Sequence, residues 1–122
     1  MPTIDDILLT ARDGLQRLEA TAVAAEVAAG AVLVDIRPAA QRADEGEAAD
    51  ALIIERNVLE WRCDPASDAR VAEAVDHDVR WIVLCSQGYT SSLAAASLQQ
   101  LGLHRATDVI GGYQALRALD GD

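Results

Sequence analysis

The chain contains no lysine: its ten basic residues are all arginine, set against twenty acidic residues, and the formal net charge is −10. A chain so short of positive charge is a poor match for nucleic acid or an anionic membrane. Any anionic substrate must be drawn by a local site rather than by the field of the whole molecule. No apolar run approaches the roughly 20 residues that a membrane span requires. The opening Met1-Pro2-Thr3-Ile4-Asp5-Asp6 lacks the basic start and apolar core of a secretory signal, so a cytoplasmic location is expected. Cysteine is scarce: Cys63 and Cys85 stand far apart, and a cytoplasmic pair is expected to be reduced. With His77 and His104 they show neither C-x-x-C nor H-x3-H spacing, so no zinc site is expected, and no other metal or organic cofactor is implied. Internal repeats, linkers and low-complexity tracts are absent.

What is present is enough for a full core. At 122 residues and 51% hydrophobic composition, residues 1–122 are expected to form one domain without disulfide staples. Apolar residues at 4, 7, 8, 11, 15 and 18 predict a helix over 4–18. Thr21 has the character of an N-cap for a second helix that Gly30 closes. Residues 31–37, 51–54, 81–84 and 106–110 are apolar runs that predict strands, the first two buried. Between them the pattern predicts a loop with a short helix over 38–50, a turn or short helix over 57–62, and helices over 70–76 and 91–101. A last helix is predicted over 113–119, after Gly111-Gly112. Strands alternating with helices mean a parallel α/β sheet covered on both faces, with every strand C-terminus on one edge. Ligands bind on that edge in such folds, and Asp35-Ile36-Arg37, Glu55-Arg56, Cys85 and Gly111-Gly112 all fall there.

Trp81-Ile82-Val83-Leu84-Cys85-Ser86-Gln87-Gly88-Tyr89-Thr90-Ser91-Ser92 is the most telling segment. An apolar strand ends in a thiol, a glycine-containing loop follows, and a helix begins. Five or six backbone N–H groups can converge on one sulfur in this arrangement. The helix N-terminus adds partial positive charge. A site of this kind favours a thiolate or a persulfide over a neutral thiol. Thr90, Ser91 and Ser92 have the residue types of N-caps, so capping and shaping of the loop would coincide.

Four blocks in this order resemble the single-domain rhodanese family of sulfurtransferases, over about residues 20–119. Leu33-Val34-Asp35-Ile36-Arg37 resembles the family's Asp-x-Arg strand end, and Gly46-Glu47-Ala48-Ala49-Asp50-Ala51 its Gly-His-Ile-Pro-Gly-Ala segment. Cys85-Ser86-Gln87-Gly88-Tyr89-Thr90-Ser91 resembles its Cys-x-x-Gly-x-[Ser/Thr] loop, and Gly111-Gly112-Tyr113-Gln114-Ala115 its Gly-Gly-x-x-Ala segment. The resemblance implies a three-layer fold with a central parallel sheet of about five strands, residues 1–19 being a helical extension outside the core. It implies that Cys85 takes sulfane sulfur from thiosulfate or a related persulfide donor and passes it to cyanide or a thiol. Ser86, Gln87, Gly88, Tyr89, Thr90 and Ser91 would form the loop that holds the persulfide, and Asp35 and Arg37 would support the rim. The partners implied are small sulfur-containing anions or thiols, with a protein as a further sulfur acceptor.

Departures from the family pattern bear on the substrate. Glu47 stands where the family has histidine, Ala49 and Asp50 replace its proline and glycine, and Leu116 replaces a frequent tryptophan. Ser86 follows the cysteine where many relatives carry Arg or Lys. If thiosulfate binds, a cation must come from elsewhere; Arg56 is the candidate, although a salt bridge to a nearby acid would equally explain it. Cys63, beside Trp61 and Arg62, reads as a half-buried spectator or as a relay thiol. His77 and His104 read as surface residues. Three rival functions follow: a non-catalytic or weakly catalytic persulfide carrier or sensor, a redox sensor using both cysteines, and a cysteine phosphatase. The last needs Cys-x5-Arg, and the position six after Cys85 holds Ser91. The loop from Cys85 to Thr90 is also one residue shorter than that of the related cell-cycle phosphatases.

Overall fold

In the computed structural model, which describes residues 1–120, four short parallel strands form the centre of the molecule. They are β1 (Val32–Asp35), β2 (Leu52–Ile53), β3 (Trp81–Leu84) and β4 (Thr107–Asp108), in the order β2-β1-β3-β4. Val32 to Asp35 pair in register with Trp81 to Leu84, so the two longest strands end level. Among the described residues six α-helices surround the sheet: α1 (Ile4–Asp13), α2 (Val23–Ala28), α3 (Ala39–Glu45), α4 (Leu59–Cys63), α5 (Thr90–Gln100) and α6 (Gly112–Ala118).

Period-two alternation splits the core between the two faces of the sheet. Val34, Trp81 and Val83 turn to one face with Leu59, Cys63, Ala94, Ala95 and Leu98 of α4 and α5. Leu33, Ile82 and Leu84 turn to the other with Val23 of α2 and Tyr113 of α6. Ala94 and Ala95 are fully buried, and their small side chains let α5 lie close on β3. This helix–sheet–helix layering agrees with the sequence reading, and the sheet has four strands rather than about five. The fifth parallel partner shrinks to a single bridge, Leu18 with Val109, because the chain turns away at once into the turn at Ala20–Ala22.

Other expectations need correction. The first helix stops at Asp13, since Gly14 follows it and Leu15 turns inward to the core. Its start is set by a reciprocal cap, in which Thr3 Oγ1 accepts from Asp6 N–H and Asp6 Oδ2 accepts from Thr3 N–H. Thr21 does not cap α2; it lies within a 3₁₀ turn that runs directly into the helix. Ile53 is half exposed because β2 is an edge strand. Residues 70–76 form turns, not a helix. Val71 N–H donates back to Arg62 C=O and Val75 N–H to Glu73 C=O, neither of them a helical bond, while Val71 and Ala74 are anchored in the core.

Leu98 has no exposed surface on the inner side of α5. Leu98→Ala should cost about 2–5 kcal/mol, read as a lower denaturant midpoint with an unchanged far-ultraviolet spectrum.

Candidate functional site

β3 delivers Cys85 to the sheet edge, and α5 begins five residues later. The loop between them is fixed by where its backbone groups point. Gly88 N–H donates to Cys85 Sγ at 3.2 Å. The carbonyls turn outward: Cys85 C=O accepts from Tyr113 N–H (2.7 Å) and Ser86 C=O from Gln114 N–H (3.1 Å), both in the first turn of α6. Gly88 C=O accepts from Arg12 Nη2 at 2.8 Å and Arg17 Nη2 at 2.9 Å. The expected convergence of five or six amides on the thiol sulfur is not seen. Among the described residues Gly88 is the one amide on Sγ, and Ser92 N–H is committed to Tyr89 C=O at the start of α5.

Two glycines make this packing feasible. Gly88 has φ +84° and Gly112 φ +60°. A Cβ on Gly112 would lie 2.5 Å from Cys85 O and 2.7 Å from Gly88 N, so the backbones of loop and α6 touch with no room for a side chain. Gly111 and Gly112 both have positive φ.

The rest of the loop divides sharply. Gln87, Tyr89 and Thr90 are exposed. Ser86 is intermediate; its Oγ donates to Glu45 Oε2 at 2.8 Å and accepts from Gln114 Nε2 at 3.1 Å. Ser91 and Ser92 do not act as N-caps. Both hydroxyls are buried and donate to Asp108 Oδ2, at 2.7 and 2.8 Å, because β4 places that carboxylate under the first turn of α5. Arg17 completes the cluster through an ion pair with Asp108 at 2.8 Å.

Asp35 and Arg37 form a second buried cluster at the end of β1. Arg37 Nη2 donates to Asp35 Oδ2 at 2.7 Å, Nη1 to Glu45 Oε1 at 3.1 Å, and Nη2 also to Gly46 C=O at 2.8 Å. The guanidinium lies 3.9 Å from the centre of the Tyr113 ring. Burial works to lower the pKa of Arg37, yet its bonds to Asp35 and Glu45 raise it above the ordinary value. The pair therefore braces β1, α3 and α6 around the loop, and Glu45 links it to Ser86.

Arg56 is drawn elsewhere. Its Nη1 holds both carboxylate oxygens of Glu60 at 2.9 Å, and Ser97 Oγ donates to the same carboxylate. Burial pushes the Glu60 carboxyl upward, but Ser97, a backbone amide and Arg56 together hold it below its usual range. Of the two readings of Arg56 the salt bridge is the one in place, and the guanidiniums against the loop are those of Arg12 and Arg17. Cys63 is fully buried, not half-buried, because α4 turns it into the core beneath Leu59 and Trp81. Burial, with the Glu60 charge adding to it, pushes this thiol up to about 12. Such a thiol is a poor relay. His77 is exposed, as is His104, which pairs with Asp78 at 2.8 Å.

Arg12, Arg17, Glu45, Asp108 and Tyr113 were not singled out from the sequence. Asp108 alone left a signal there, an acid inside the apolar run 106–110. The arginines left none, since their partner is a backbone carbonyl more than seventy residues away.

The family model of the rhodanese-like domain matches residues 19–119, and the chain belongs to that family. No curated protein matches. Among solved structures, a protein from Rhodopseudomonas palustris CGA009 described as of unknown function and a possible tyrosine phosphatase superposes with a TM-score of 0.87. It is 26% identical, with 100% of this chain and 94% of that one covered. The human single-domain sulfurtransferase TSTD1 superposes with a TM-score of 0.69 at 22% identity, covering 87% of this chain and 96% of its own. A rhodanese homologue from the extremely thermophilic bacterium Thermus thermophilus gives 0.60 at 20% identity, covering 83% and 100%. No helix among the described residues is long and apolar enough to cross a membrane.

Three tests follow. In the native chain a small disulfide reagent should leave Cys63 unmodified, with its reaction appearing only on denaturation. Because the folded Cys63 thiol sits near 12 and an unfolded one near ~8.5, its contribution to stability is complete below that lower value. It should be lost as pH climbs toward the folded value; Cys63→Ala should flatten that alkaline decline in denaturant titrations. Separately, Gly112→Ala should lower the thermal midpoint and disturb the Cys85 environment together, seen as paired changes in calorimetry and in amide spectra of residues 85–88.

Proposed function

We propose that this chain is a sulfurtransferase that carries sulfane sulfur as a persulfide on Cys85. The observation that supports it most directly is the seating of Sγ: the thiol ends a buried strand, takes an amide from Gly88, and sits in a loop whose carbonyls are bonded outward. Negative charge on sulfur is thereby met by the Gly88 N–H and not by carbonyl oxygens.

The reaction divides into two displacements. The Cys85 thiolate attacks the outer sulfur of thiosulfate or another sulfane donor. A new S–S bond forms as the donor's bond breaks, and sulfite or a thiolate leaves with the electron pair. In the second step cyanide or a thiolate acceptor attacks the outer sulfur of the persulfide, and the Cys85 thiolate is released. Loss of one N–H donor from a site of this kind typically costs about 10²–10³ in rate. Gly88 is the donor in this loop. The acceptors are small thiophiles or a thiol on a partner protein, and the reducing cytoplasm suits two free cysteines.

Phosphoryl transfer is the weaker reading. The residue six after Cys85 is Ser91, whose hydroxyl is buried against Asp108, so α5 offers no guanidinium to an oxyanion. Arg12 and Arg17 approach the loop at a carbonyl. A second reading, a weakly catalytic persulfide carrier or sensor, is favoured by Glu45. That carboxylate lies on Ser86, where a basic residue would assist a dianion, and Arg37 is already bonded to Asp35 and Glu45.

The deciding test is intact mass after incubation with thiosulfate and then with cyanide. One sulfur gained on Cys85 and stripped as thiocyanate is expected. Cys85→Ser should abolish transfer with folding intact; residual activity above about a tenth of the parent would remove Cys85 from the mechanism. Loading from a glutathione persulfide but not from thiosulfate would point to the carrier reading.

A further inference from the structure

We infer that Arg12 and Arg17, which precede the matched family region, are positioning residues that clamp Gly88 so that its amide stays on Cys85 Sγ. This rests on the reading of Cys85 as the sulfur carrier. Gly88 is held from both sides: its N–H reaches Sγ at 3.2 Å, and its C=O receives two guanidiniums at 2.8 and 2.9 Å. Gly88 has φ +84°, and nothing in its own side chain restrains it. The restraint must come from outside the residue.

Each arginine is itself anchored. Arg17 Nε and Nη2 hold the two oxygens of Asp108, a carboxylate with no exposed surface. Arg12 Nε donates to Ser92 Oγ at 3.0 Å, and Ser92 Oγ donates in turn to Asp108. Arg12 also lies 5.6 Å from the centre of the exposed Tyr89 ring. One guanidinium thus touches three parts of the loop and helix start: the Gly88 carbonyl, the Tyr89 ring and the Ser92 hydroxyl. Bonds from a charged donor to a carbonyl are roughly twice as strong as neutral ones. Two on one oxygen restrict the peptide far more than solvent would. Both positive charges also lie close to the loop in a chain of net charge −10.

The arrangement gives the N-terminal segment a role in the reaction. α1 packs along α5 and, through Arg12 in its last turn, reaches the loop that opens α5. The R. palustris structure, which is covered along with the whole of this chain, shares the overall fold through this segment.

The test uses the full chain with Arg12→Gln and Arg12→Lys. Arg17→Gln would strip a buried carboxylate of its cation and is set aside in favour of Arg17→Lys. Amide hydrogen exchange at Gly88 is read with sulfur-transfer kinetics. In Arg12→Gln, Gly88 exchange should rise about tenfold while the β3 amides keep their protection, and kcat should fall about tenfold with KM within about twofold, the scale typical of lost supporting bonds. Arg12→Lys should recover part of both. Gly88 exchange unchanged in Arg12→Gln would overturn the clamp, as would an equal rise across β3 or a change confined to KM. If the parent chain transfers no sulfur, the functional reading fails by itself, and Gly88 exchange still decides the clamp.

Discussion

The structure around Cys85 depends on one constraint: the carbonyl groups of residues 85, 86 and 88 must be bonded away from the sulfur. A peptide has a positive and a negative edge, and a six-residue loop cannot aim amides at an anion unless something outside accepts the opposite edge. Here the outside donors are the first amides of α6 and two guanidiniums from the segment before α2. α6 can come near enough because Gly88 and Gly112 carry no Cβ.

Two buried carboxylates hold this arrangement in place. Asp108 takes bonds from Arg17, Ser91 and Ser92, and Asp35 from the backbone and side chain of Arg37. A charge taken out of water costs several kcal/mol unless its lone pairs are met. Each of these is met by a guanidinium and further donors. Asp108 fixes the start of α5 relative to β4, and the Asp35–Arg37 pair fixes α3 and α6 relative to β1. Glu45 joins the second cluster to Ser86, so the loop is tied to both.

Much of this was readable from residues. Strands at Val32–Asp35 and Trp81–Leu84 followed from apolar runs, and the start of the last helix after Gly111-Gly112 from its pattern. The family resemblance, carried by the Asp-x-Arg, cysteine-loop and Gly-Gly blocks, matches the family model over residues 19–119. Other features misled. Serines at the start of a helix read as caps, because local bonding is what sequence shows; the carboxylate that claimed them lies sixteen and seventeen residues away in β4. Residues 70–76 read as a helix, yet Val71 N–H is bonded to the distant Arg62 C=O and the segment forms turns. Of the two readings open for Arg56, the salt bridge is the one in place, to Glu60 one turn along.

The sequence by itself determined the parallel α/β layering, the thiol at the end of a buried strand and the glycines beside it, because each is written in local pattern: period, punctuation, and residues that no side chain can replace. Tertiary structure alone decided which amide meets the sulfur, that Cys63 is sealed in the core, and that Arg12 and Arg17 serve the loop. The last of these depends on hydrogen-bonding groups brought together across seventy or more residues, and a backbone carbonyl carries no identity in the sequence that could announce its partner.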